Sequence, residues 1–365
     1  MWLLLALLAL TQPASSGQAE IMTLGSLHIP RGNPPSIPVE AILEQLAHFG
    51  PGLIALEILH PSLDPADTSN YRFLAGDKRL LKKLWDLEKG DLDEALLGAR
   101  AGLATEKDEI AKGHIRIHLG KIFYLQGDAL NAAYQWWRAG RMGADVGELK
   151  RLVDHCFEGR EIQVFGFALA ERLGHEYVCP FDYQGKDAVW DTDPIFEQAR
   201  LLALFNRFGK EPGADGYDQL QAEYDRQLAA YAEGDRTWSD HYGHMPRMKA
   251  FSRYFFDRMP DFKATEAEAS RKHRFGIMGF LQSKQNMAIE REDFALLAEL
   301  PFDNLGRKIV EGYELRNQRM FDFLEVDIRR LRPNRVLIIV GSSHKDFLDR
   351  IAAERGYRVV SSELE

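Results

Sequence analysis

Apolar positions change their period several times along this chain, and the changes divide it. It opens on an unbroken apolar run, MWLLLALLAL over residues 1–10. That is too short for a bilayer core of about 30 Å, which takes roughly 20 helical residues. Small and polar residues follow, and Gly17-Gln18-Ala19 has the small-x-small spacing that a signal peptidase reads. Residues 1–19 are therefore expected to be a signal peptide, and the remainder an exported, periplasmic or secreted chain without a transmembrane segment.

Residues 21–29 are short, apolar and β-leaning, and they break into the loop Pro30-Arg31-Gly32-Asn33-Pro34-Pro35. Ile42, Leu43, Leu46 and Phe49 then recur at helical spacing until Gly50-Pro51-Gly52 stops them, and residues 53–59 read as a second strand. Strand, helix and strand in this order predict a βαβ unit with parallel strands. From about residue 78 to 172 the period is helical throughout, a short strand is expected over 176–181 ending at Asp182, and 194–299 is again mostly helical. A long helix over 307–331 ends before Pro333, the run Val336-Leu337-Ile338-Ile339-Val340 is a strand, a short helix is expected from Asp346, and a last strand over 357–360.

Strands thus fall at both ends of the chain with helices between them. The expected fold is α/β, a mainly parallel sheet formed by the N- and C-terminal segments, with helical insertions at about 78–172 and 194–299 in one domain spanning 20–365. Within the first insertion Gly120, Phe123, Gly127, Ala132, Trp136 and Ala139 fall at tetratricopeptide offsets, with a partial echo at Gly90 and Ala95. Fewer than three repeats cannot form a solenoid, so a helical hairpin packed on the main domain is expected. A protein partner at this insertion would need an exposed aromatic patch around Trp136 and Trp137.

Composition narrows the function classes. The net charge of −9, without long blocks of one sign, argues against nucleic acid or an anionic membrane surface as a partner. The two cysteines exclude a disulfide-framed fold and a Cys-rich zinc module. Cys156 and Cys179 could bridge in an oxidising compartment, but Cys179 lies in an apolar strand-like run and reads as a buried thiol.

Two expected strands end in the same pattern, Gly25-Ser26-Leu27-His28 and Gly341-Ser342-Ser343-His344. With 30 Gly and 11 His, about one such spacing arises by chance, so the weight comes from context. Each pattern stands at the carboxyl end of a strand, where open α/β sheets place their ligands. Glu57 interrupts the apolar run Leu53-Ile54-Ala55-Leu56, and a carboxylate there is costly unless paired or metal-bound. Arg316 shares the buried face of the long helix with Ile309, Tyr313, Met320, Leu324 and Leu331, and an inward Arg needs an anionic partner. Its 15 residues of separation from Leu331, about 22 Å along a helix, bring it level with the carboxyl ends of the strands. His60 is assigned to a loop, and the pairs His114/His118 and His241/His244 to a helix surface and an aromatic loop. Ser342 and Ser343 lack the glycine flanks of a nucleophile elbow.

This set resembles the TraB/TIKI and erythromycin-esterase/ChaN-like superfamily. The phrases LGSLHIP, ALE, REIQVFGFALAERLG, VCPFDYQGKD, YELRNQRMF and RVLIIVGSSHKDFL are similar to an exported bacterial TraB-related family, over roughly residues 21–360. The resemblance implies a site at the carboxyl edge of the sheet. It implies His28 and His344 as facing ligands or bases, Glu57 as their acidic partner, and Arg316 with Asn317 as an anion-binding pair. It adds Glu161 and Asp182, with Gly25 and Gly341, to the substrate-binding set. The chain departs from the family in reading Arg160-Glu161 for Asn-Glu, and Asp182-Tyr183-Gln184 for an Asp-Asp-His type of stretch. Members of the superfamily divide into divalent-metal-dependent peptidases, esterases with a His-activated water, and haem-binding proteins. The implied function is hydrolysis of an ester or amide bond. One divalent ion (manganese, cobalt or zinc) on His28, His344 and Glu57 would assist in the metal version, and haem or metal binding by the same histidines is the alternative.

Overall fold

The computed structural model describes residues 19–26, 37–63, 92–150, 153, 160–183, 222, 271–298, 305–362 and 364. The expected leader, His28, Cys156, His241 and His244 lie outside the described residues.

Among the described residues five strands form one parallel sheet in the order β3-β2-β4-β1-β5: β1 Glu20–Ser26, β2 Leu53–Leu59, β3 Cys179–Asp182, β4 Arg335–Gly341 and β5 Arg358–Val359. The expected α/β fold is the one observed, with helices inserted between the N- and C-terminal strands. The C-terminal β4 lies between β1 and β2, so the first two strands, joined by helix α1 (Val39–Phe49), are parallel without being neighbours. Buried on both faces, β2 and β4 carry near-continuous apolar runs, as central parallel strands do.

Alternate residues feed two cores. Leu53 and Ala55 of β2 join Val336, Ile338 and Val340 of β4 against the long helix, while Ile54 and Leu56 pack on the opposite face with Leu337 and Ile339. By this period of two Glu57 belongs to the face of Leu53 and Ala55, the face that the long helix covers.

Between β2 and β3 lie α2 (Leu92–Thr105), α3 (Glu109–Leu125), α4 (Ala129–Arg141), a π-helical turn (Ile162–Phe167) and α5 (Ala168–Arg172). Helices α3 and α4 form the expected hairpin. A Cβ on Gly120 would collide with Nε1 of Trp136, so only glycine admits that indole between the helices. Trp136 is buried, while Trp137 is half-buried and packs on Tyr134 and Phe167. Side chains of α4 cover the extended segment leading into β3. Asn131 Nδ2 donates to the Val178 carbonyl (2.8 Å) and Val178 N–H to Asn131 Oδ1 (2.9 Å), while Gln135 Nε2 donates to the Glu176 carbonyl (2.8 Å). Arg116 of α3 forks onto the Glu176 carboxylate at 2.7 and 2.9 Å. The hairpin thereby satisfies backbone groups that an open sheet edge would expose.

After β3 the described chain resumes in α6 (Ile277–Gln282), α7 (Lys284–Ala298) and the long α8 (Leu305–Leu331). Helix α8 stops where Arg332 takes a positive φ of 49° ahead of Pro333. Helix α9 spans Ser342–Glu354, so it begins four residues before the expected start at Asp346, directly on the end of β4. The last strand is shorter than the expected 357–360.

Asp128 caps α4, accepting from Asn131 N–H at 3.0 Å and from its Nδ2 at 2.8 Å. Burial raises this carboxyl to about 6, against the lowering effect of the Asn131 bonds. The folded value exceeds the unfolded one, so the group favours the fold most below about pH 4, and that contribution is lost as the pH rises through 6. The difference is worth up to about 3 kcal/mol. Asp128→Asn keeps a capping oxygen, and its stability advantage over the wild type in urea titrations is expected to grow from pH 4 to pH 7. A pH-independent difference would refute this.

Candidate functional site

Three residues one helical turn apart build the site from α8: Tyr313, Arg316 and Asn317, at i, i+3 and i+4, face the sheet together. Arg316 is 3% exposed. Its Nε and Nη2 donate to Asp182 Oδ1 at 3.1 and 2.8 Å, and Nη2 also donates to Glu57 Oε1 at 3.1 Å. One guanidinium thus ties the ends of β2 and β3 to the helix. Glu57 completes its contacts on the far side, where the Gly341 backbone N–H donates to Oε2 at 2.7 Å. That N–H stands at the amino end of α9, where the helix dipole favours a negative partner.

His344 sits in the first turn of α9 and is 3% exposed. Its Nε2 lies 3.3 Å from Glu57 Oε1, and its Nδ1 lies 2.8 Å from Asn317 Oδ1. The imidazole stacks on the Tyr313 ring at 4.7 Å and 27°. The Tyr313 hydroxyl donates to Ser343 Oγ at 2.7 Å, and burial holds it well above its usual pKa, opposed by the Ser343 bond.

Of the residues expected from sequence, Glu57, Asp182, Arg316, Asn317, Gly341 and His344 meet here. Gly25 stands beside them: a Cβ on it would lie 3.1 Å from the Cα of Ser342. Glu161 is buried at the amino end of the π-helical turn, on the element whose Gly166 packs against Leu56 of β2. Asn317 departs from its expected pairing with Arg316 for an anion. Its oxygen faces His344, and its Nδ2 donates to the Tyr313 carbonyl at 2.8 Å. Ser342 and Ser343, set aside for their flanks, do stand on a strand-to-helix turn, with Ser343 accepting from Tyr313.

Sequence reasoning placed Tyr313 in the core without seeing its contact to the histidine, and it missed Gln282. The Gln282 amide bonds both backbone groups of Gly25, accepting from N–H at 2.9 Å and donating to C=O at 2.6 Å. Because β5 pairs β1 only at Glu20 and Ile21, Gln282 takes the place of a ladder at the end of β1 that leads toward His28. The one available signal was a glutamine in the apolar stretch Met278-Gly279-Phe280-Leu281. His60 follows β2 and stacks on Phe323 at 4.1 Å, with burial lowering its pKa against the charge of Asp327.

Of the expected metal set His28, His344 and Glu57, the described members are His344 and Glu57, whose Nε2 and Oε1 lie 3.3 Å apart. Among the described residues no group of three or more His, Cys, Asp or Glu could hold a metal ion, and Arg316 already places its charge beside Oε1. The third member of the expected set, His28, lies outside the described residues. Among the described residues no helix is long and apolar enough to cross a membrane. No protein-family model, curated protein or solved structure matches the chain.

Arg316→Met would leave Glu57 and Asp182, at 13% and 2% side-chain exposure, without their common cation. The expected loss of stability is about 3–5 kcal/mol by urea denaturation. Adding Asp182→Asn to that variant should recover part of it, and no recovery would show that charge is not what the guanidinium balances.

Proposed function

We propose that this chain is an exported hydrolase that cleaves an ester or amide bond in a small molecule or peptide, with water activated by histidine. The observation that carries the reading is the His344–Glu57 pair, with Nε2 and Oε1 3.3 Å apart at the carboxyl edge of a parallel sheet and Arg316 adjoining the carboxylate. Open α/β sheets bind their ligands at that edge. The contact is longer than the 2.7–2.9 Å of a locked charge-assisted bond.

In this reading the attacking water gives its proton to the pair as its oxygen bonds to the carbonyl carbon. The C–O or C–N bond then breaks, and the pair returns the proton to the leaving oxygen or nitrogen. Arg316 supplies the positive charge facing the anionic tetrahedral intermediate. His28, the second histidine of the resemblance, is the further base or ligand of this proposal. Export is part of it and rests on the leader-like residues 1–19.

The test is turnover of an ester and peptide panel by the purified protein, with and without chelator. His344→Ala and Glu57→Gln should each lower kcat/KM by about 100-fold or more with unchanged circular dichroism. Activity that survives His344→Ala overturns the proposal. Loss on chelation assigns the same residues to the metal-assisted version. A haemin Soret shift that disappears in His344→Ala, in a protein without turnover, replaces hydrolysis by binding.

A further inference from the structure

We infer that Asn317 is a positioning residue that holds the His344 ring in one tautomer, with hydrogen on Nδ1, and so presents the Nε2 lone pair to Glu57. This deepens the proposed hydrolysis and rests on it for its purpose, though the tautomer itself can be read without any substrate.

The amide cannot turn over. Asn317 Nδ2 donates to the Tyr313 carbonyl one turn back on α8 at 2.8 Å, and reversal would set two oxygens against each other. The atom left facing His344 is therefore Oδ1, which only accepts. At 2.8 Å from it, Nδ1 must carry hydrogen. Nor can the ring escape by rotating. It lies against Tyr313, which is itself flanked by Phe294 at 4.7 Å and edge-on by Phe347 at 5.1 Å, with its hydroxyl tied to Ser343. Asn317 and Tyr313 are 0% exposed, so water does not compete for these bonds.

A consequence follows for the neighbouring pair. In the neutral ring Nε2 is an acceptor, and the ionised Glu57 is an acceptor too, so the two face each other across 3.3 Å until one proton lies between them. That proton is the one the pair can receive from water and hand on. Arg316 fixes the carboxylate and Asn317 fixes the imidazole. Because these two residues are consecutive on α8, a single turn of helix sets both halves of the pair.

Nitrogen NMR of the full chain labelled in its histidine rings tests this, with the His344 signals assigned by their loss in His344→Gln. With the ring neutral, Nδ1 should give the N–H type of signal and Nε2 the lone-pair type. Asn317→Gln, which keeps an amide acceptor and an amide donor, should preserve that pattern. Asn317→Leu, which has none, should lose it, and on a hydrolysed substrate should lower kcat about 10- to 100-fold with KM little changed. Hydrogen on Nε2 in the wild type overturns the inference, whether or not the leucine variant folds. So does an unchanged pattern in a folded Asn317→Leu. If the wild-type tautomer is as stated and no substrate is turned over, the positioning stands and the hydrolase reading fails.

Discussion

A guanidinium buried among carboxylates is the constraint on which this site depends. Arg316 carries its charge into the protein at 3% exposure, where removing water from an ion is costly unless partners replace it. Asp182 and Glu57 are those partners, and they stand at the ends of two adjacent strands. The same contact therefore fixes how far α8 slides along the sheet. With α8 in register, Asn317 and Tyr313 reach His344, and His344 reaches Glu57. The backbone N–H of Gly341 closes the arrangement from β4, the strand that brings His344 to the site.

The insertion between β2 and β3 serves the same sheet from its side. Helix α4 reads the backbone of the segment before β3 through Asn131 and Gln135, and Arg116 anchors Glu176. Strand β3, which ends in Asp182, is thus held at the edge of the sheet formed by the described residues. On the sheet's other flank Gln282 supplies Gly25 with both hydrogen bonds of the kind a neighbouring strand gives. Side chains from helices complete the short edges on both sides.

Much of this was legible in the residues. The apolar runs of β2 and β4 mark buried parallel strands, and Glu57 stands out because a carboxylate interrupts one of them. Arg316 was found by the 3.6-residue period of α8, and its level by counting rise along the helix. What could not be read was how these groups divide their bonds. Asn317 adjoins Arg316 in sequence and could have shared its anion, yet its oxygen is spent on a histidine 27 positions away. Helix α9 was expected to start later, because the Gly-Ser-Ser turn resembles a loop until its N–H is seen bound to a carboxylate.

The sequence by itself determined the α/β class, the strands at both ends with helices between, and the candidates Glu57, Arg316 and His344, because hydrophobic period and the cost of burying charge act locally along the chain. Only the tertiary structure decided that β4 separates β1 from β2, that Gln282 completes Gly25, and that Asn317 holds His344. Those outcomes depend on hydrogen bonds between residues far apart in the chain, and a donor's choice among several acceptors is settled only when packing fixes their distances and excludes water.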